Sequence, residues 1–303
     1  MIKDIISNEE VKEFLKNELK IGKNSGTYLF YGSDMSLLME FAIYFSQGLC
    51  CEAISGDFCG QCDTCKKIQK LVYSDLEILD NPDGIKVDEI RELAYKSSAS
   101  SYEGGKKIFI LKNISKMKKE ASNALLKLIE EPNPGNYFIL LNGNLNILPT
   151  IKSRSILVKI KNRSAEELGV DEFTYSFFRG NSEDILGFKS MDIKLEEGYP
   201  YGEIARAIRG YEESGELKFK INIYKAIRDF VNNRNYLKTY EKIYFAEEIV
   251  RATSDRNIYR EIVSYLVNFM GDLNGLEERL TMKGMLRFPI NMRAFFINLF
   301  LDI

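Results

Sequence analysis

Short apolar runs at Tyr28–Tyr31, Leu76–Leu79, Ile108–Leu111, Tyr137–Leu141 and Ile156–Val158 alternate with helix-period segments such as Val87–Tyr95 and Met117–Ile129. Runs of that length between helical segments predict strands joined by crossovers, hence a mostly parallel sheet covered by helices on both faces. Past about Asn162 the alternation stops. Ser7 and Glu10, and again Ser164 and Glu167, have capping-box spacing and predict helix starts. Gly180-Asn181-Ser182 breaks a small helical unit that runs to about residue 200. The rest reads as long helices, with apolar stripes at Ile223–Val231, Tyr244–Val250, Ile262–Met270 and Met292–Leu301.

A chain of 303 residues can hold two or three domains without disulfide staples. No apolar run is long enough to cross a bilayer, and Met1-Ile2-Lys3-Asp4 opens with charge where a secretory signal would be apolar, so a cytoplasmic location is expected. The net charge of −2 gives no global attraction to nucleic acid. Histidine is absent, which excludes Ser-His-Asp and Cys-His nucleophiles and leaves only thiolates and carboxylates to bind zinc.

The cysteines are spaced for such a site. Cys59, Cys62 and Cys65 are each separated by two residues, with Cys50-Cys51 a short loop upstream. This C-x2-C spacing lets thiolates meet one tetrahedral ion at about 2.3 Å, and Gly60 suits the tight turn between them. A redox pair would need neither the third nor the fourth cysteine, and buried free thiols would not cluster within sixteen residues. A saturated all-thiolate site has no open coordination position, so the zinc is expected to hold structure and catalyse nothing. Spacing alone leaves either Cys50 or Cys51 as the fourth ligand.

Gly32–Met39 stands between a predicted strand and a predicted helix, the setting of a G-x-x-x-x-G-K-[ST] phosphate loop. Only the first glycine is present. Leu37 replaces the second glycine, Leu38 the lysine and Met39 the hydroxyl that would hold magnesium. On these residues alone an ordinary strand-to-helix turn accounts for the stretch.

Taken with Ile5-Ile6-Ser7-Asn8-Glu9-Glu10, Tyr28–Gly32, the cysteine knuckle, Val87–Leu93, Ala121–Pro132 and Leu148–Ser155, that loop makes residues up to about 160 resemble the bacterial clamp-loader family of AAA+ proteins. The resemblance implies an α/β fold: a RecA-like AAA+ domain over 1–161 with a zinc-binding insertion at about 50–66, a small helical lid over 162–203 and an all-helical collar over 204–303. It carries the zinc ligands over as Cys59, Cys62 and Cys65, with Cys51 favoured as the fourth because it precedes a glutamate, and Cys50 as its alternative. The family's magnesium-holding acidic pair falls on Lys112 and Asn113, and a lysine there repels the ion. Its lid arginine falls on Glu183. No ATP binding is therefore expected, with Gly32, Leu37, Leu38 and Met39 as a degenerate loop. Arg154, in Ser153-Arg154-Ser155, matches the family's arginine finger, which reaches a neighbouring subunit's ATP site; Ser155 stands in place of a cysteine. The implied setting is a five-subunit hetero-oligomer of DNA polymerase III with gamma or tau and delta subunits, which places a sliding clamp on primed DNA.

Rival readings have weaker support. An active gamma/tau-like ATPase needs the missing lysine. A stand-alone zinc-knuckle nucleic-acid binder would want more than Lys66, Lys67 and Lys70, which Glu52 and Asp57 oppose. The basic stretch from Lys106-Lys107 to Lys116, Lys118 and Lys119 is expected to be solvated helix and strand edge.

Overall fold

The computed structural model describes residues 7–54, 56–81, 83–103, 105–191, 198–269, 288 and 290–301. The chain forms two compact units, Met1–Ile185 and Leu186–Ile303. The opening residues Met1–Asp4 and Met270, on which two expectations rest, lie outside the described residues.

All five expected strands form: β1 Gly26–Tyr31, β2 Leu76–Leu79, β3 Lys107–Lys112, β4 Asn136–Asn142 and β5 Ile156–Lys159. They make one sheet in the order β2-β3-β4-β1-β5, with every pair parallel. Alternate side chains of a strand face opposite ways, so the continuous apolar runs feed two cores. Tyr28, Phe30, Ile108, Ile110, Tyr137, Ile139, Leu141 and Val158 pack into one, with α1 (Glu9–Ile21), α2 (Met35–Cys50) and α3 (Asp63–Gln69) supplying the rest. Leu29, Phe109, Leu111, Phe138 and Leu140 pack into the other, under α4 (Val87–Ser98) and α5 (Lys119–Glu130). The chain leaves β1 toward one edge of the sheet and later returns past it to β5 at the other. The turn after β1 is thus the switch point at which open α/β sheets usually bind ligands.

The start of α1 departs from the capping-box expectation for Ser7 and Glu10. Asn8 is the residue before the helix, in a left-handed conformation, and makes no side-chain cap. Its amide instead accepts from the Lys161 N–H and donates to the Lys161 carbonyl, each at 2.8 Å, tying the helix start to the end of β5. A long-range partner outcompetes the local one.

Just before β5 lies α6 (Pro149–Lys152), and beyond it come α7 (Ala165–Leu168), α8 (Glu172–Phe177) and α9 (Ser182–Ser190). Ser164 and Glu167 form the expected capping box on α7. The second unit holds a 3₁₀ turn, Tyr201–Glu203, and helices α10 (Ile204–Ser214), α11 (Leu217–Asn233), α12 (Thr239–Ala252), α13 (Arg256–Phe269) and α14 (Met292–Leu301). Its core is aromatic: Phe230 stacks on Phe245 at 4.2 Å, and Phe300 meets both edge-on at 5.0 Å. Among the described residues no helix is long and apolar enough to cross a membrane.

Candidate functional site

The turn after β1 is filled by the protein's own groups. Gly32 is required there by packing, because a Cβ would collide with the Ile160 carbonyl beside it. Asp34 caps α2. Its Oδ1 accepts from the Ser36 N–H at 3.1 Å, the Leu37 N–H at 3.3 Å and the Ser36 hydroxyl at 2.6 Å. Its Oδ2 accepts from the Ser182 N–H at 3.0 Å, at the start of α9. The carboxylate is 3% exposed. Burial alone would raise its pKa, but the hydrogen bonds from Ser182, Ser36 and Leu37 outweigh that cost and hold it below the usual carboxylate range. A helix N-terminus attracts an anion through its free N–H groups and dipole. Here the anion is Asp34, to which the sequence alone assigned no role.

Leu37 and Leu38 are buried in the core and Met39 packs against it, so all three side chains serve packing. At the acidic-pair positions, Lys112 is ion-paired with Asp80 at the end of β2, and Asn113 adopts a left-handed conformation opening a 3₁₀ turn. Glu183 lies exposed in the first turn of α9.

Arg154 follows α6 on the surface. Its guanidinium donates to Glu130 Oε1 of α5 at 2.6 Å and to the Thr150 carbonyl at 3.3 Å, while its Nε–H has no partner among the described residues. Glu130 is more than half exposed, so the pair is worth about 1 kcal/mol or less and is easily exchanged for a stronger anion.

The knuckle brings together Cys51, Cys59, Cys62 and Cys65, whose Sγ atoms all lie within 4.8 Å of one another. A zinc ion bound at about 2.3 Å would set its thiolates roughly 3.8 Å apart, and the Cys59 and Cys65 sulfurs are 4.0 Å apart. The backbone is arranged for thiolates. Cys59 Sγ accepts from the Gln61 and Cys62 N–H groups at 3.4 and 3.3 Å, Cys62 Sγ from the Cys65 N–H at 3.4 Å, and Cys51 Sγ from the Cys59 N–H at 3.4 Å. Gly60 turns between them with φ +71°. The Cys62 and Gln61 amides lower the Cys59 thiol to about 6, whereas burial raises that of Cys65. Four such sulfurs this close ionise together only beside a cation, and the donor set suits zinc. Cys50 points elsewhere: it packs into the sheet core, where burial pushes its thiol up to about 12.

In the basic stretch Lys106, Lys116, Lys118 and Lys119 are exposed as expected, and Lys107 departs from that expectation. Lys107 is buried and donates to the Lys96 carbonyl at 2.6 Å and to the Ala99 carbonyl, closing the C-terminus of α4. Lys106 donates to the Leu49 carbonyl near the end of α2. Both neutralise carbonyl ends of helices. Lys86 and Lys118, at the starts of α4 and α5, share a cavity of about 350 Å³. Asp83, Asp88 and Glu120 line it too, so its charge does not single out a nucleic acid.

Comparison with known proteins bears on these features. A family model described as DNA polymerase III, delta subunit, matches residues 7–164, just over half of the 303-residue chain. The tau subunit of DNA polymerase III from Escherichia coli is 30% identical over 167 residues, which are 54% of this chain and 26% of that one. The delta-prime subunit from Bacillus subtilis is 31% identical over 147 residues, 48% of this chain and 44% of that one. The chain thus spans between a quarter and a half of the length of these relatives. A gamma subunit-related protein from Thermotoga maritima shares the fold along nearly the whole chain, with a TM-score of 0.61, 18% identity, and coverage of 96% of this chain and 97% of that one.

Proposed function

The chain belongs to the DNA polymerase III delta-subunit family of clamp-loader proteins, and from that premise we propose that it is a delta-prime-type subunit that hydrolyses no ATP. The observation that carries this reading is Asp34, seated on the helix N-terminus where a phosphate would lie, with Leu37 and Leu38 buried behind it. A triphosphate would have to displace a carboxylate that groups from two helices hold, and would find no lysine to meet it. The likeness to tau subunits does not bring ATPase activity with it, because the residues that hydrolysis needs are absent.

In this reading residues 1–161 form the RecA-like domain, 162–203 the lid and 204–303 the collar. Cys51, Cys59, Cys62 and Cys65 hold a structural zinc, which fixes the loop from α2 to α3. The active contribution is made to a neighbour. Arg154 leaves Glu130 and offers its guanidinium to the phosphates in a gamma or tau subunit's ATP site, where a fixed cation stabilises charge developing on the transferred phosphoryl. The assembly, with delta and in a five-subunit ring, would open a sliding clamp and place it on primed DNA.

The experiment is reconstitution with candidate gamma/tau and delta subunits, followed by ATPase assay. Arg154→Ala should leave assembly intact and reduce turnover at the adjoining site by on the order of a thousandfold, so that only the assembly's other sites remain active. Unchanged turnover rejects the finger. Micromolar ATP binding by the isolated chain would reject the wider reading.

A further inference from the structure

In the helical unit, the 3₁₀ turn Tyr201–Glu203 and the faces of α11 and α12 enclose a cavity of about 670 Å³. Its walls are of two kinds. Tyr201, Tyr240 and Tyr244 supply aromatic surface, and Asp229, Glu241 and Glu247 supply carboxylates; among the described residues no lysine or arginine lines it, and Lys238 Nζ stands 6.0 Å from the Tyr240 ring centroid.

The carboxylates differ in what already holds them. Glu247 is paired with Arg293 and Arg251 and is neutralised. Asp229 accepts from the Tyr201 N–H at 3.1 Å and from Asn233 Nδ2 at 3.1 Å, both neutral donors. Glu241 accepts from the Lys238 N–H at 2.8 Å, again a neutral donor. Among the described residues neither Asp229 nor Glu241 is in an ion pair. Their field is felt at the rim: the Tyr201 phenol has its pKa raised, first by burial and then by Glu241 and Asp229. Tyr240 and Tyr244 are one helical turn apart on α12 and are 64% and 53% exposed. Tyr201, by contrast, is fixed by edge contacts with Phe230 and Phe245 at 5.9 and 5.8 Å. A fixed aromatic wall, the open ring of Tyr244 and two carboxylates without an ion pair among the described residues together favour a ligand that is cationic and flat, beside the Tyr240 ring that Lys238 already approaches.

We infer that this cavity receives an arginine side chain presented by a protein partner. A guanidinium stacks on tyrosine faces and donates in a fork to carboxylates at the same time, which an ammonium does less well. The cavity is also large enough for the side chain and its neighbours on a partner segment. The inference rests on the assembly reading only for the source of that arginine.

The test uses the full chain and Nα-acetyl-arginine amide as probe, with Nα-acetyl-citrulline amide, its uncharged isostere, as control. Binding is followed by NMR of the tyrosine ring resonances. The arginine probe should shift Tyr201, Tyr240 and Tyr244 saturably and the citrulline probe should not. Glu241→Gln keeps an oxygen for the Lys238 N–H and removes the charge, and Tyr244→Ala removes an exposed ring. Each should weaken the probe by on the order of fivefold, with thermal melts confirming that both variants fold. No shift with arginine, or equal shifts with both probes, overturns the inference. Co-purification with gamma/tau and delta subunits is scored separately: probe binding without co-purification retains the pocket and rejects the assembly, and the reverse rejects the pocket alone.

Discussion

Two places in the first unit gather groups that suit a charged ligand, and they meet that charge in opposite ways. At the turn after β1 the chain supplies the anion itself: Gly32 packs on Ile160, Leu38 is in the core, and Asp34 caps the helix N-terminus. At the knuckle the chain supplies donors for a cation. Four sulfurs converge, and backbone N–H groups point at three of them. The difference follows from charge. A side-chain carboxylate can imitate a phosphate on a helix N-terminus, whereas no residue in this knuckle can imitate a divalent cation among four thiolates. A site can shed its ligand and keep its fold only where the chain can provide a substitute of the same sign.

The largest effect should therefore come from the knuckle. Structural zinc binds thiolate sites with roughly 10 kcal/mol or more, and the loop from Cys51 to Cys62 has little apolar burial beyond Phe58 with which to replace it. Cys62→Ser should abolish stoichiometric zinc in elemental analysis and lower the melting temperature by many degrees. Cys50→Ser should retain one zinc and cost only a modest amount of core packing. Zinc retained in the first variant or lost in the second would reassign the ligands.

The converse perturbation at the turn should have a smaller but still substantial effect. Leu38→Lys restores the residue type that a phosphate loop needs, but at a position with no exposed surface. A buried ammonium without a partner should destabilise by roughly 3 kcal/mol or more, through a lowered lysine pKa. Denaturant unfolding measures the loss, and titration with ATP should still show no binding. A variant that binds ATP at wild-type stability would mean that the turn is a vacant phosphate site, erasing the contrast with the knuckle.

How legible each place was in the sequence reflects the range of its interactions. The strands were legible because a sheet buried on both faces demands continuous apolar runs, and the Tyr137–Leu141 run lies within β4, which is buried throughout. Cysteine spacing placed three sulfurs at the knuckle by local geometry, but choosing between Cys50 and Cys51 needed the end of α2: both lie against the sheet core, and of the two the Cys51 sulfur is the one within 4.8 Å of the other three. Asp34 was legible only as half of its role: an aspartate two residues before Ser36 is a cap signal. Its second partner, Ser182, lies 148 residues away and leaves no local trace. Lys107 was misjudged for the same reason, since the carbonyls it closes belong to a helix end that only tertiary packing brings alongside. The capping box expected of Ser7 and Glu10 is likewise absent because Asn8, bonded to Lys161, opens the helix instead.

The smallest effect sharpens the comparison most, because it asks whether Asp34 acts by shape or by charge. Asp34→Ala removes the cap of α2 and leaves the Ser182 N–H without its acceptor, for a loss of about 2 kcal/mol. Asp34→Asn keeps an acceptor oxygen and the cap geometry but not the charge, and should lose about 1 kcal/mol. The pH dependence separates the two roles. The folded-state pKa of Asp34 is depressed, so its charge contributes stability that is present above the unfolded value of about 3.9 and is lost as pH falls through the folded pKa. The stability gap between wild type and Asp34→Asn, measured by denaturant unfolding, should be constant near neutrality and close in acid below about pH 4. A gap that persists unchanged into acid would show that the carboxylate serves as a hydrogen-bonding shape alone. The turn would then be an ordinary helix start, and its likeness to a filled anion site would have no energetic content.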